Sequence, residues 1–408
     1  MGALSRPGSF LIGTLSDIRE DGPVSILLVV SLGWFLTLGV RIVYPALLPQ
    51  VTAEFGVSNA TTGAFIGLLW TTYALLQFPG GAIADIVGER LVLAGSILLS
   101  AGAVSVIVLS TTVETFVLAT VLLGLGTGLF GTTRLTVISA LFDQMRTTAI
   151  SVNQAAGNVG NVVLSASAGF VSVYLGWRWG FGFLLPMMVA CAIGLWIALP
   201  RRASPATGDE SFRQTMRKVA AAVRRPPVLA VTALLSLNMF LYQSLTGFLP
   251  TYLVAQKGVD PGSAATLYSL FFAAAIGVQF LSGIVADRRG NRVAIIVFIS
   301  LSVPGFVLLT VVETFSALVA VTVLLSFFLG AMPPVNAAGL ASLPPEIQGS
   351  GFGLLRTGYI AFGALGPPAV GLLADAGRFD AAFLALGVVA LATSAWAIVF
   401  ERVGRMLS

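Results

Sequence analysis

The sequence contains no histidine and a single cysteine, Cys191, among its 408 residues. Without histidine, the chain has no imidazole to bind a metal or to activate a nucleophilic serine or cysteine. One cysteine excludes a disulfide within the chain. The phosphate-binding pattern G-x-x-x-x-G-K-[ST] does not occur either. These absences argue against an enzyme and against a built-in ATPase, and they predict no cofactor and no metal.

Charge is also scarce, at 10% of the residues, whereas apolar residues make up 57% and the mean hydropathy is +0.96. A soluble domain cannot cover so much apolar surface, but a bilayer removes the need to cover it. Crossing the hydrocarbon core takes about 20 mostly apolar residues. Twelve runs meet that length, at approximately residues 25–50, 59–83, 91–110, 116–141, 148–172, 179–200, 227–252, 263–286, 291–311, 315–340, 350–373 and 379–400. We therefore expect an all-α integral membrane protein with twelve transmembrane helices.

The longest polar stretch falls between the sixth and seventh runs and divides the chain into two sets of six. The expected parts are an N-terminal segment (1–24), a six-helix bundle (25–200), a linker (201–226), a second bundle (227–402) and a tail (403–408). Sixteen of the 22 Lys and Arg residues fall on the side of the N-terminus, three on the other side and three inside the runs. Cytoplasmic loops carry the excess of Lys and Arg. Both termini are thus expected in the cytoplasm, and the protein in the plasma membrane. The charges form no basic face, which argues against nucleic acid as a partner.

Two loops repeat one pattern at an offset of about 200 residues. GGAIADIVGERL (80–91) matches SGIVADRRGNRV (282–293). Both resemble the signature G-x-x-x-D-x-x-G-x-R of the major facilitator superfamily. The resemblance implies two pseudo-symmetric six-helix bundles that rock about a central cavity lined by the first, fourth, seventh and tenth helices. It also implies a transporter that works as a monomer by alternating access and needs no ATP.

In that family the signature loop helps to hold the outward-open state, with its Asp capping a neighbouring helix and pairing with Arg. A carboxylate is favoured at a helix N-terminus by the exposed amides and the dipole, so the role is physically reasonable. Carried over to this chain, and with Arg146 as a further candidate partner, the gating residues are Gly81, Asp85, Gly88, Arg90, Arg146, Gly283, Asp287, Gly290 and Arg292.

Three arginines lie inside the apolar runs, where an ionisable side chain is expensive and needs a reason. Arg41 is the deepest, with Tyr44 one turn further along, and Pro45 and Pro49 are expected to break the helix beyond it. A guanidinium here either holds an anionic substrate group or is satisfied by helix carbonyls. Arg134 and Arg356 lie nearer the cytoplasmic ends, where snorkelling or gate pairing competes with a place beside the substrate. With uncharged neighbours on other runs, the predicted substrate-binding residues are Arg41, Tyr44, Arg134, Asn238, Tyr242, Gln243, Asn336, Arg356 and Tyr359.

All seventeen acidic residues fall in loops or near the ends of the runs. Embedded arginines without embedded acids favour a small organic or inorganic anion as the substrate. The alternative is a proton-coupled multidrug or metabolite efflux antiporter, because such carriers commonly use a buried carboxylate. The exporters' fourth-helix pattern R-x-x-x-G has Thr120 in place of its Arg, ahead of Gly124. The position of Glu54 discriminates between the two: a place in the cavity supports proton coupling, and contact with bulk water weakens it.

Overall fold

The computed structural model describes residues 23–142, 145–200, 217, 221–344 and 348–406, with only the backbone described at residues 82, 85, 349, 350 and 400–406. Most of the expected N-terminal segment and most of the linker therefore lie outside the described residues. Across these ranges the regular structure is entirely helical, as predicted, and eleven helices are long and apolar enough to cross a membrane. Grouped into twelve membrane-length units, they are α1 (Val24–Phe55), α2 (Asn59–Leu75 and Pro79–Val87), α3 (Glu89–Leu109), α4 (Val113–Leu141), α5 (Arg146–Leu175), α6 (Trp177–Gly182 and Leu184–Ala198), α7 (Pro226–Ala255), α8 (Pro261–Arg289), α9 (Asn291–Val311), α10 (Phe315–Ser326, a 3-10 turn at Phe327–Ala331, and Met332–Ala341), α11 (Gln348–Gly363 and Gly366–Asp375) and α12 (Phe379–Met406).

Prolines interrupt some units and not others. In α2 the helix stops at Leu75 and restarts at Pro79, because proline has no N–H to donate and fits best in a first turn. This interruption leaves α2 outside the set of eleven. The expected break beyond Arg41 was wrong: α1 runs unbroken through Pro45 and Pro49 to Phe55. Proline in a long helix removes single hydrogen bonds without ending it when the surrounding helices hold both sides.

A similar proline in α7 shows how the freed backbone group is satisfied. Pro250 lies inside the helix and cannot donate to the carbonyl of Thr246, four residues earlier. The hydroxyl of Tyr268, on α8, donates to that carbonyl at 2.7 Å. A buried carbonyl without a partner is costly in hydrocarbon, so this contact both repairs α7 and ties it to α8.

Each set of six helices packs chiefly within itself. In the first half α1 lies against α5, and α4 contacts α2 and α3; in the second, α9 lies against α12 and α8 against α10. The two halves meet where α2 packs on α11 and α5 on α8. We call the end of the molecule that carries the α1–α2 and α11–α12 loops the far end, and the opposite end the termini end.

Small residues bring the two halves into backbone contact toward the far end. A Cβ placed on Gly63 of α2 would lie 2.5 Å from the carbonyl oxygen of Pro367 on α11. Gly67 faces the carbonyl of Ala364 in the same way. Between α5 and α8, the hydroxyls of Ser165 and Ser269 are 2.8 Å apart. Close approach of this kind depends on small residues, as is usual between membrane helices.

A carboxylate from the second half completes the far-end contact. Asp375, the last residue of α11, accepts hydrogen bonds from the backbone amides of Asn59 (2.8 Å) and Ala60 (2.9 Å). The side-chain amide of Asn59 donates to it at 3.1 Å. These amides open α2, where the first N–H groups of a helix have no internal partner. Asp375 therefore caps a helix of the other half.

Candidate substrate site

A cavity of about 350 Å³ lies between the halves, on the termini side of these contacts. That volume is within the range of small-molecule sites. Helices α1, α2, α4 and α5 line one side and α7, α8, α10 and α11 line the other. The lining residues are Trp34, Leu38, Arg41, Trp70, Tyr73, Arg134, Gln154, Asn158, Asn161, Met239, Tyr242, Phe272, Ala275, Ile276, Gln279, Leu329, Met332, Pro333, Asn336, Phe352, Arg356, Tyr359 and Ile360.

Arg41 is buried, with 1% of its surface exposed, and lies among aromatic rings. Its guanidinium carbon is 3.9 Å from the centre of the Tyr73 ring and 5.3 Å from that of Trp70. Its Nε donates to the carbonyl of Thr37, one turn earlier on α1, at 3.1 Å. Its Nη2 is buried without a hydrogen-bond partner. Helix carbonyls thus satisfy only part of this guanidinium, and donor capacity is left over.

Arg134, on α4, is held by amides of α5. Its two terminal nitrogens donate to the side-chain oxygens of Asn153 and Gln154, the latter at 3.1 Å. Asn153 in turn donates to Ser31 on α1 at 3.2 Å. The guanidinium carbon also lies 3.7 Å from the centre of the Trp34 ring. All these partners are uncharged, so the positive charge of Arg134 is positioned by them and not neutralised.

Arg356 reaches the same region from α11. Its Nη2 is 3.4 Å from the hydroxyl of Tyr73, so Tyr73 contacts Arg41 with its ring face and Arg356 with its hydroxyl. One turn from Arg356, the Tyr359 hydroxyl donates to the side-chain oxygen of Asn336 at 3.4 Å. Asn336 donates to the carbonyl of Met332 at 2.9 Å. Arginines from both halves therefore converge on one cavity.

None of the cavity-lining side chains is acidic within the described part of the chain. Glu54 lies at the far end instead, with 43% of its side chain exposed. Its carboxylate is 2.7 Å from a guanidinium nitrogen of Arg178 and accepts a hydrogen bond from the Trp177 indole at 2.6 Å. Glu54 thus faces solvent and a surface cation, and it does not line the cavity.

The structure brings six of the nine predicted substrate residues to this cavity: Arg41, Arg134, Tyr242, Asn336, Arg356 and Tyr359. It places the other three elsewhere. The Tyr44 hydroxyl is 2.6 Å from that of Thr120 and its ring stacks on Phe116, between α1 and α4. Gln243 donates to the carbonyl of Ile360 at 3.0 Å, joining α7 to α11. Asn238 is buried on α7 but is not part of the lining.

Several lining residues were not among the predicted ones. Trp34 lies seven residues before Arg41, two helical turns away on the same face of α1. That spacing in the sequence could have identified Trp34 as a lining residue. Asn158 and Asn161 are visible in the sequence as polar residues within α5, where bonding between helices is the more common role. Asn158 does both, since it lines the cavity and donates to Gln279 of α8 at 3.4 Å.

The two signature loops have the same backbone shape. Gly88 and Gly290 adopt φ angles of 93° and 88°, which residues with a Cβ rarely reach. Arg90 lies 4.3 Å from the ring centre of Trp196, on α6. Arg292 donates to the carbonyls of Ala397 (3.1 Å) and Ile398 (2.6 Å), on α12. Each arginine therefore contacts the last helix of its own half.

The other predicted gating residues lie around these loops. Gly81 and Gly283 have open space where a Cβ would stand, and Arg146 is exposed at the start of α5. Asp287 lies in the last turn of α8, beside two arginines. The Asp85 side chain lies outside the described residues, and its role in gating stays a prediction.

Comparison with known proteins places this architecture in a family. The protein-family model described as Major Facilitator Superfamily matches residues 29–314 and 237–405 of this chain. A nitrite extrusion protein of Bacillus subtilis is 22% identical, with 87% of this chain and 88% of the relative covered. An MFS-type efflux pump of Mycolicibacterium smegmatis is 27% identical over 83% of each chain. A hexuronate transporter of Bacillus subtilis is 24% identical, over 87% and 89%.

A solved structure shows the same fold. It is that of a bacterial homologue of the human lysosomal transporter Spinster, in an inward-facing and unoccupied conformation. The two superpose with a TM-score of 0.73 at 17% identity, over 93% of this chain and 96% of the other. Fold, repeated loops and family model agree: the chain belongs to the major facilitator superfamily and is a multi-pass secondary transporter of small solutes, not an enzyme.

Proposed function

We propose that this transporter carries a small anion across the plasma membrane by alternating access. One observation carries the proposal: Arg41, Arg134 and Arg356 line a single cavity whose described side chains include no carboxylate. Guanidinium groups stay charged in proteins, so the site holds an excess of positive charge.

Electrostatics favours an anion at this place. Two unit charges 4 Å apart interact by about 4 kcal/mol at an effective dielectric constant near 20, and by more in a drier site. The faces of Trp34 and Tyr73 offset part of the cost of the cations, at roughly 2 kcal/mol for each desolvated contact. An anion that reaches the unpartnered Nη2 of Arg41 supplies the missing hydrogen bond and the missing charge together.

The relatives give weaker support. Two of the three are named for anionic solutes, nitrite and hexuronate, and the third for efflux. At identities of 22–27% these names support a class of solute, small anions, and do not identify a particular solute.

The conformation suits one step of alternating access. The contacts of Gly63, Ser165 and Asp375 close the far end, while the cavity lies on the termini side of them. With both termini in the cytoplasm, as the distribution of Lys and Arg predicts, the cavity belongs to an inward-facing monomer. Separation of the far-end contacts then exposes the same cavity to the other side.

The alternative is a proton-coupled efflux antiporter, which the resemblance to the mycobacterial efflux pump keeps open. The exposed position of Glu54 weakens it, because that carboxylate is paired with Arg178 away from the cavity. A lipophilic cation in the cavity would also meet three arginines of its own sign.

Binding of chemically simple anions to the purified protein tests the proposal. The probes are nitrite, acetate, butyrate and inorganic phosphate, set against tetraphenylphosphonium, with the melting temperature as readout. A ligand that binds only the folded state stabilises it by about 2.7 kcal/mol at one hundred times its Kd. We expect stabilisation by at least one anion, lost in Arg41→Ala and weakened in Arg41→Lys.

Arg378→Ala is the matched control, because Arg378 is exposed at the far end. It should leave the stabilisation unchanged. Stabilisation by tetraphenylphosphonium alone, indifferent to Arg41, would contradict the proposal and favour the efflux antiporter.

A further inference from the structure

The cavity has two chemically different sides, and we infer from them that the carried anion is organic, with an apolar body attached to its charged head. This inference rests on the proposed function and narrows it. Of the three cationic side chains, Arg41 and Arg134 come from α1 and α4, and Arg356 comes from α11. The wall from α8 and α10 carries no charged lining residue: beside the amides Gln279 and Asn336 it consists of Phe272, Ala275, Ile276, Leu329, Met332 and Pro333.

The two amides in this wall already take part in hydrogen bonds within the protein. Gln279, one turn beyond Ile276 on α8, accepts a hydrogen bond from Asn158 at 3.4 Å. Asn336, one turn beyond Met332, donates to the carbonyl of that residue and accepts from Tyr359. Neither amide presents its full hydrogen-bonding capacity to a solute in front of the wall.

An inorganic anion makes poor use of such a wall. It is strongly hydrated, gains nothing from contact with Phe272 or Leu329, and loses its hydration there without replacement. An alkyl or aromatic body gains instead, because removal of each methylene group from water favours binding by roughly fourfold.

The size of the cavity agrees with this composition. Water occupies about 30 Å³ per molecule in the liquid, so 350 Å³ is far more than an anion the size of nitrite fills. It is enough for a carboxylate beside Arg41 and Arg134 and a body of several carbons against α8 and α10. The geometry thus assigns the charged head to the three arginines and the apolar body to the wall formed by α8 and α10.

A homologous series of ligands tests the inference. Formate, acetate, butyrate and hexanoate share one head and differ in body length, nitrite lacks a body, and 1-hexanol lacks the charge. Affinity for the purified protein in lipid nanodiscs should rise from formate to hexanoate by two- to fourfold per methylene group. Nitrite should bind no better than formate, and 1-hexanol should bind far more weakly than hexanoate.

Met332→Gln places an amide of similar length in the apolar wall. It should reduce the gain per methylene group, measured as the ratio of the affinities for hexanoate and formate. Met187→Gln is the matched control, since Met187 lies on α6 and does not line the cavity. The control should keep the wild-type series.

Two failures are distinguishable. If Arg41 is required but affinity is flat or falls with chain length, or nitrite binds best, the organic-anion inference is wrong and the anion transporter stands. If no anion in the series binds and tetraphenylphosphonium does, the proposed function is wrong as well.

Discussion

Tyr73 contacts an arginine of each half: its ring centre is 3.9 Å from the guanidinium carbon of Arg41, and its hydroxyl is 3.4 Å from Nη2 of Arg356. The two cations belong to α1 and α11, which move relative to each other in any rocking motion. Tyr73 therefore contacts both cations where the two halves meet at the cavity.

Replacing Tyr73 separates these two contacts. Tyr73→Phe keeps the ring face under Arg41 and loses the hydroxyl, whereas Tyr73→Leu loses both. We expect Tyr73→Leu to lower the stability of the unliganded protein by about 1–2 kcal/mol more than Tyr73→Phe, because a desolvated cation–π contact is lost. Thermal unfolding in nanodiscs measures the difference. Equal losses would contradict the ring-face contact, and Tyr174→Leu, at an exposed tyrosine, serves as control.

Alanine at Gly63 should wedge the far end open. Its Cβ would stand 2.5 Å from the carbonyl oxygen of Pro367, a backbone atom that cannot turn away. We expect Gly63→Ala to raise maleimide labelling of a reporter, Ser165→Cys, which is buried between α5 and α8. The native thiol of Cys191 is buried and gives little background.

The control for this change is Gly102→Ala, because no atom lies within 4 Å of where that Cβ would stand. It should leave the labelling rate unchanged. A Gly63→Ala protein that labels as slowly as the wild type would show that α2 and α11 can part locally without opening the far end.

Asp375→Asn weakens the same closure by a different route. The carboxylate accepts from two backbone amides at the start of α2, and such caps contribute about 1 kcal/mol. Asparagine keeps one acceptor oxygen and loses the charge. We expect faster labelling of Ser165→Cys and a modest loss of stability. Glu114→Gln removes a carboxylate from an exposed first turn within one half, so it should leave the labelling unchanged.

Much of this architecture could be predicted from sequence, because a bilayer demands apolar runs of set length. The same uniformity hides which face of a helix lines the cavity. Residues of α1 from Leu36 to Leu48 are all buried, so burial does not distinguish Arg41 from Tyr44. Only the residues that each one contacts do so. Tyr44 finds Thr120 on α4, and Arg41 finds rings of α2 that no spacing along α1 could reveal.

Glu54 should play no part in energising transport. Its carboxylate is exposed and paired with Arg178, and exposed pairs contribute about 0–1 kcal/mol to stability. We expect Glu54→Gln to lose no more than that and to keep the wild-type pH dependence of anion uptake into proteoliposomes. A transport rate that ceases to respond to a pH gradient in this variant would restore the proton-coupled alternative.

Arg90 and Arg292 occupy the same place in the repeated loops and contact the last helix of their own halves, yet one meets an indole ring and the other two carbonyls. The two repeats therefore share the position of the arginine and the helix that it contacts, but they differ in the chemical group that it binds. Each loop is thus held by the last helix of its own half, so we expect it to move with that half as a rigid unit when the two halves rock.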